Sequence, residues 1–210
     1  MNEFDIRTTD GEVLEARWDL PDVPQRVVVF CHPHPLYGGT MTAPLMVGVT
    51  RYLVDRDFAV LRFNFRGVGA STGIHGSGSD EVADVAAAVA TGDAAHPELP
   101  LSLAGWSFGA ATALSWAAAS GSRHAYAGIA PPVRSGMTPR LPPADALAPA
   151  PRTFILGNRD QFVGVDELEE YARSIGADLR VLTGSDHFFS FREERVAEIV
   201  AKALAAPEIA

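Results

Sequence analysis

An α/β fold, a mostly parallel sheet of about eight strands with helices on both faces, is predicted by three observations. Short apolar runs alternate with longer helix-like segments from Arg26 onward, the signature of successive strand-helix-strand units. Those runs are apolar at consecutive positions, as strands covered on both faces are. The first two runs instead alternate polar with apolar residues around Asp10-Gly11, so the sheet should open with an antiparallel hairpin.

Each element follows from its own residues. Asn2 to Thr8 and Glu12 to Leu20 form the hairpin, which Pro21 and Pro24 end. Arg26 to Cys31 (RVVVFC) is a central strand, Thr42 to Arg56 a helix and Ala59 to Phe65 a strand. Asp80 to Ala90 is a helix with Ser79 as its N-cap. Leu101 to Trp106 is a strand, and the Ala-rich segment Ala110 to Ala119 is a helix that Gly121 ends. Ala125 to Ala130 is the next strand, and the proline-dense stretch 131–151 is a loop over the site. Thr153 to Gly157 follows as a strand; Asp166 and Glu169 resemble a capping box opening a helix that runs to Ile175. Asp178 to Leu182 is the last strand. Ser190 and Glu193 form a second capping-box pattern before a helix whose Val196, Ile199 and Val200 face the sheet. No internal repeat or linker is visible, so a single domain over 1–210 is expected.

Composition narrows the function. The 210 residues, 47% of them hydrophobic, can bury a sizeable core. A formal net charge of −9 and the lack of any Lys/Arg-rich run argue against nucleic-acid binding. The lone Cys31 excludes an internal disulfide, and the N-terminus MNEFDIRTTD lacks the features of a signal peptide, so a cytoplasmic location is expected. No apolar stretch approaches the roughly 20 residues needed to cross a bilayer, so no membrane association is expected.

In folds of this kind ligands bind beyond the carboxyl ends of the strands. There, GWSFG places Ser107 inside G-x-S-x-G between a strand and a helix, where Gly105 and Gly109 leave room for a sharp turn. The alternative is a serine that merely caps the next helix. A serine nucleophile needs a base and an orienting acid, and both follow later strands in the order the motif requires. Asp160 lies in GNRDQFV after the TFILG strand, and His187 lies in GSDHFFS after the last strand. Asp186 and Asp166 are the other acids in reach, but Asp166 reads as a helix cap and Asp186 adjoins the base.

An oxyanion hole takes two backbone amides, one from the residue after the nucleophile, Phe108. The other should come from CHPHPLYGGTM; Pro33 and Pro35 have no N–H, which leaves His34, the favoured donor, or Leu36. The His32-x-His34 pair has no third ligand nearby in sequence, so no metal is expected. Cys31 reads as a small core residue. The glycines of Arg62 to Gly73 lack the Lys-Ser/Thr of a phosphate loop, so that turn is structural, with Arg66 bracing neighbouring loops. Leu36, Tyr37, Trp106, Phe108, Phe162 and Phe188 are candidates to line a substrate pocket, with Trp106 alternatively in the core. A patch of Phe162, Phe188, Phe189 and Phe191 would either line that pocket or join two copies as a homodimer.

HPHPLYGGTM, RFNFRGVGAS, GWSFG, GNRD and SDHFF together resemble motifs of the α/β-hydrolases. The likeness is closest to small, capless bacterial serine hydrolases related to dienelactone hydrolases, and it covers roughly Arg26 to Val200. The resemblance implies an α/β-hydrolase fold with little or no cap, and catalysis without a cofactor. Ser107 departs from the cysteine of dienelactone hydrolases proper and from the aspartate of dehalogenases and epoxide hydrolases, which resembles the esterase-like members. Hydrolysis of small or medium carboxylic esters through an acyl-enzyme is the expected activity, with a small molecule as partner. Thioesters, amides and lactones suit the same residues, and a scaffold that has lost turnover is the reading from another class.

Overall fold

The structure, a computed structural model, describes residues 2–205. Its strands and helices in chain order are β1 (Asn2–Arg7), β2 (Val13–Asp19), β3 (Arg26–Cys31), α1 (Pro44–Val54), β4 (Phe58–Phe63), α2 (Glu81–Ala95), β5 (Leu101–Trp106), α3 (Phe108–Ser120), β6 (Tyr126–Ile129), β7 (Arg152–Gly157), α4 (Val165–Ser174), β8 (Asp178–Leu182) and α5 (Glu193–Leu204). The eight strands form one sheet in the order β1-β2-β4-β3-β5-β6-β7-β8. β1 pairs antiparallel with β2, and β2 with β4; all later pairings are parallel. The hairpin turns at Gly11, whose φ of 99° suits only glycine, and Ile6 faces Leu14 across it.

Helices cover both sides of the sheet. α1 packs on α5 and α2 on α3, while both pairs rest on shared strands, which requires them to lie on opposite faces. β3, β4 and β5 are therefore buried almost throughout, and their Val, Leu, Ala and Phe side chains fill the two layers of the core. β8 is the exposed edge, with its side chains largely in solvent. The connection from β6 to β7 carries a single 3₁₀ turn, Ala144–Ala146, and forms no cap.

Three predicted helix starts differ from those observed. α2 is preceded by Asp80, with no side-chain cap, and the Ser79 hydroxyl donates to the Gly76 carbonyl instead. α4 starts one residue before Asp166, and Gly164 precedes it without a capping bond. α5 starts at Glu193, whose carboxylate accepts from the Phe191 amide rather than from a Ser190 box. A capping box needs its hydroxyl at the residue where helical geometry begins, and tertiary packing shifts each start by one or two residues.

Arg66 braces neighbouring loops, as its position suggests. Its guanidinium and amide bind both oxygens of Asp84, whose side chain is fully buried in α2, at 2.7 to 2.9 Å. A further nitrogen reaches Asp10 in the hairpin turn at 2.8 Å. One side chain thus ties the loop after β4 to α2 and to the first hairpin.

Candidate active site

Ser107 stands alone between the end of β5 and the start of α3, with φ 54° and ψ −116°. A serine in that left-handed region stores about 1–3 kcal/mol of strain, held here by the Ser107 amide donating to the Ile129 carbonyl at 2.7 Å. A Cβ on Gly109 would collide with the carbonyl oxygens of Cys31 and His32, and one on Gly105 with the backbone of Ala110. The two glycines let α3 rest directly on β5 and on the end of β3. The Ser107 hydroxyl does not cap α3, so the capping alternative fails.

Asp160 and His187 meet beside this turn. His187 Nδ1 donates to Asp160 Oδ2 at 2.8 Å, and Asp160 Oδ1 accepts from the amides of Phe162 and Val163 at 2.8 and 2.9 Å. The carboxylate is 0% exposed and the imidazole 7%. With its proton on Nδ1, the ring keeps a lone pair on Nε2. The indole of Trp106, the residue before Ser107, donates to the His187 carbonyl at 3.2 Å, so the strand that carries the serine also fixes the histidine's backbone. Asp186 is engaged elsewhere: its carboxylate accepts the amides of Phe188 and Phe189 at 3.0 Å each.

The oxyanion alternatives are distinguished by their hydrogen bonds. Leu36 N–H donates to His34 Nδ1 at 3.2 Å and so is committed within its own loop. The His34 amide has no partner among the described residues. Phe108 N–H is the first of its helix, where no intrahelical carbonyl can reach it. The His34 ring lies 5.1 Å from the Phe108 ring, bringing the two residues together. His34 Nε2 donates to the Met137 carbonyl at 2.9 Å, tying the loop to the proline-dense stretch, and burial holds the His34 imidazole below the ordinary histidine value.

His32 is a brace. Its Nδ1 donates to the Pro33 carbonyl at 2.6 Å and its Nε2 accepts the Phe65 amide at 3.0 Å, which leaves no lone pair for a metal. Among the described residues no group of three or more His, Cys, Asp or Glu could hold a metal ion. Cys31 is fully buried, and desolvation pushes its thiol far above the ordinary range. Burial pushes His32 down to about 4 from 6.5. The folded state therefore keeps this ring neutral while the unfolded chain takes up a proton, so stability present above pH 6.5 is lost as pH falls to 4. The loss is expected to be roughly 3 kcal/mol, measured by urea denaturation across that window, and His32→Gln should flatten it.

The expected pocket is an open surface. Leu36, Tyr37, Phe162 and Phe188 are exposed around the site, with Phe162 and Phe188 edge-on to His187 at 4.9 and 5.7 Å. Trp106 and Phe108 are buried, so they support the site rather than line it. Phe189 lies in the core and is not part of a surface patch, whereas Phe191 is fully exposed. Its Asp186-capped turn points Phe189 inward, a choice that periodicity does not reveal. A cavity of about 860 Å³ lies between β7, β8 and α5 and shares no residue with this site. No helix among the described residues is long and apolar enough to cross a membrane.

Residues 22–158 match the family described as serine aminopeptidase, S33, a family of hydrolases. The chain belongs to that family. A curated protein of Rickettsia prowazekii, itself uncharacterised, is 33% identical over 195 residues, covering 88% of this hydrolase and 80% of its own length. The structure of an α/β serine hydrolase homologue from Coxiella burnetii is similar with a TM-score of 0.84, at 28% identity over 97% of each chain. An α/β serine hydrolase without lid from Xanthomonas campestris gives the same TM-score at 27% identity, covering 98% of this chain and 96% of its own. The chain is thus an α/β-hydrolase enzyme without a lid, of the serine hydrolase superfamily.

Two side chains beside the candidate site escaped sequence reading. His75 lies in the Gly/Ser-rich stretch after β4, its ring 5.0 Å from His34 and 5.3 Å from Phe108. Glu81, fully buried in the first turn of α2, lies 2.6 Å from it. The only available signal was a lone histidine and an acidic helix start, which by themselves read as solvent-facing.

Proposed function

We propose that the protein hydrolyses carboxylic esters of small to medium acyl substrates through an acyl-enzyme, with Ser107 as nucleophile, His187 as base and Asp160 as its orienting acid. The observation that carries the reading is the buried 2.8 Å His187–Asp160 bond beside a serine in a strained strand-to-helix turn. In this mechanism His187 Nε2 takes the proton as Ser107 Oγ attacks the ester carbonyl. The amides of Phe108 and His34 stabilise the oxyanion, His187 returns the proton to the departing alcohol, and water then releases the acid by the same route. The open, aromatic-rimmed surface suits small esters; a bulky lipid would need more enclosure.

The family's name raises a peptide-bond reading. An aminopeptidase must bind a substrate ammonium group, yet Asp160, Asp186 and Glu81, the acids beside the site, are each engaged by protein groups. This favours esters.

A fluorophosphonate probe is expected to label the folded protein at Ser107 and to lose all labelling in Ser107→Ala. The same protein should cleave short-chain p-nitrophenyl esters. Labelling that persists in Ser107→Ala would overturn the nucleophile assignment.

A further inference from the structure

His75 and Glu81 form a second imidazole–carboxylate pair beside the site. His75 Nδ1 lies 2.6 Å from Glu81 Oε1 without meeting hydrogen-bond geometry, and the Glu81 side chain is 0% exposed. Glu81 also accepts the amides of Gly76 and Gly78 at 2.8 and 2.7 Å, so the carboxylate is fixed whichever way the ring turns. Two lone pairs that close would repel, so Nδ1 carries a proton, and in the neutral ring Nε2 then presents a lone pair. Nε2 takes no hydrogen bond from any described residue.

The location of the ring defines what Nε2 meets. His75 packs on His34 and Phe108, the two residues assigned to the oxyanion hole, whereas His187 packs on Trp106, Phe162 and Phe188. Because His187 hands its proton to the leaving alcohol, the alcohol portion belongs on the His187 side, which leaves the side of His34, Phe108 and His75 for the carbonyl oxygen and the acyl portion. A neutral imidazole with a free lone pair accepts hydrogen bonds, which selects a donor on that portion. An acyl hydroxyl is the simplest such donor in an ester.

We propose that His75, positioned by Glu81, recognises a hydroxyl group on the acyl portion, so that the preferred substrates are esters of hydroxy acids. The proposal rests on the ester-hydrolase reading above. Built to accept from a hydroxyl, the pair leaves Nε2 unsatisfied when the group is missing, and discrimination follows from that loss.

The test compares hydrolysis of methyl 3-hydroxybutyrate and methyl butyrate by acid release. Wild-type kcat/KM is expected to favour the hydroxy ester by about tenfold, the worth of one hydrogen bond. His75→Phe keeps the ring contacts with His34 and Phe108 and should erase that preference, mainly through KM, by lowering kcat/KM on the hydroxy ester about tenfold more than on methyl butyrate. Glu81→Gln should lose part of it. Equal wild-type rates on the two esters, or a preference that survives His75→Phe, overturns the proposal while the ester-hydrolase reading stands. A parallel loss on both esters in His75→Phe assigns the pair a structural role and also overturns it. Failure of the wild type on both esters overturns the ester-hydrolase reading itself, and the proposal with it.

Discussion

His187→Ala is expected to lower kcat on short-chain p-nitrophenyl esters by at least about 10⁴-fold, because the members of such a unit fail together when the base is lost. Asp160→Asn should cost about 10⁴-fold as well, by presenting a donor to Nδ1 and stabilising the wrong tautomer. The alanine variant leaves a carboxylate that is 0% exposed with only the Phe162 and Val163 amides, so a stability loss accompanies it. His187→Gln separates the two effects. It retains a donor for Asp160 but no base, so it should unfold near the wild-type urea midpoint and still be inactive. Burst and steady-state kinetics on p-nitrophenyl butyrate check this, and activity of either variant within tenfold of wild type would remove His187 from the mechanism.

Asp84→Ala is the substitution expected to destabilise the fold most. It strips both oxygens from the Arg66 guanidinium and amide, leaving a side chain only 6% exposed with Asp10 as its remaining partner. Removing one partner of a buried pair costs about 3–5 kcal/mol. The loss should appear as a lower urea midpoint. Replacing both partners, Asp84→Leu with Arg66→Met, should recover most of it, because no uncompensated charge then stays buried. A single variant as stable as wild type would show that the pair contributes nothing net.

Much of the fold was legible in sequence. β3, β5 and β8 begin and end where the sequence places them, and for β3 and β5 the reason is that strands covered on both faces must be apolar at nearly every position. The N-terminal alternation marked the hairpin, and the residues after β5, β7 and β8 were named because a parallel sheet gathers its strand ends on one side. Helix starts were less legible at Ser79, Asp166 and Ser190, where packing chose a different first residue from the one local capping chemistry favours.

The candidate site divides in the same way. Ser107, Asp160 and His187 could be singled out as candidates in sequence because strand order and a five-residue motif are properties of neighbours along the chain. The 2.8 Å bond between Asp160 and His187 joins residues 27 apart, and only the folded sheet brings them together. Likewise, the sequence favoured the His34 amide but left Leu36 open, and only in the fold does the Leu36 N–H meet His34 Nδ1. Phe189 and Phe191 differ by two residues, yet one is buried and the other exposed, because the turn at Asp186 and not periodicity aims them. His75 and Glu81 gave no pattern at all. Sequence determines what repeats along the chain with a period of two or about 3.6 residues and which side chains follow each strand. Which polar group finds which partner is decided in three dimensions, because hydrogen bonds depend on separations of a few tenths of an ångström that no spacing along the chain encodes.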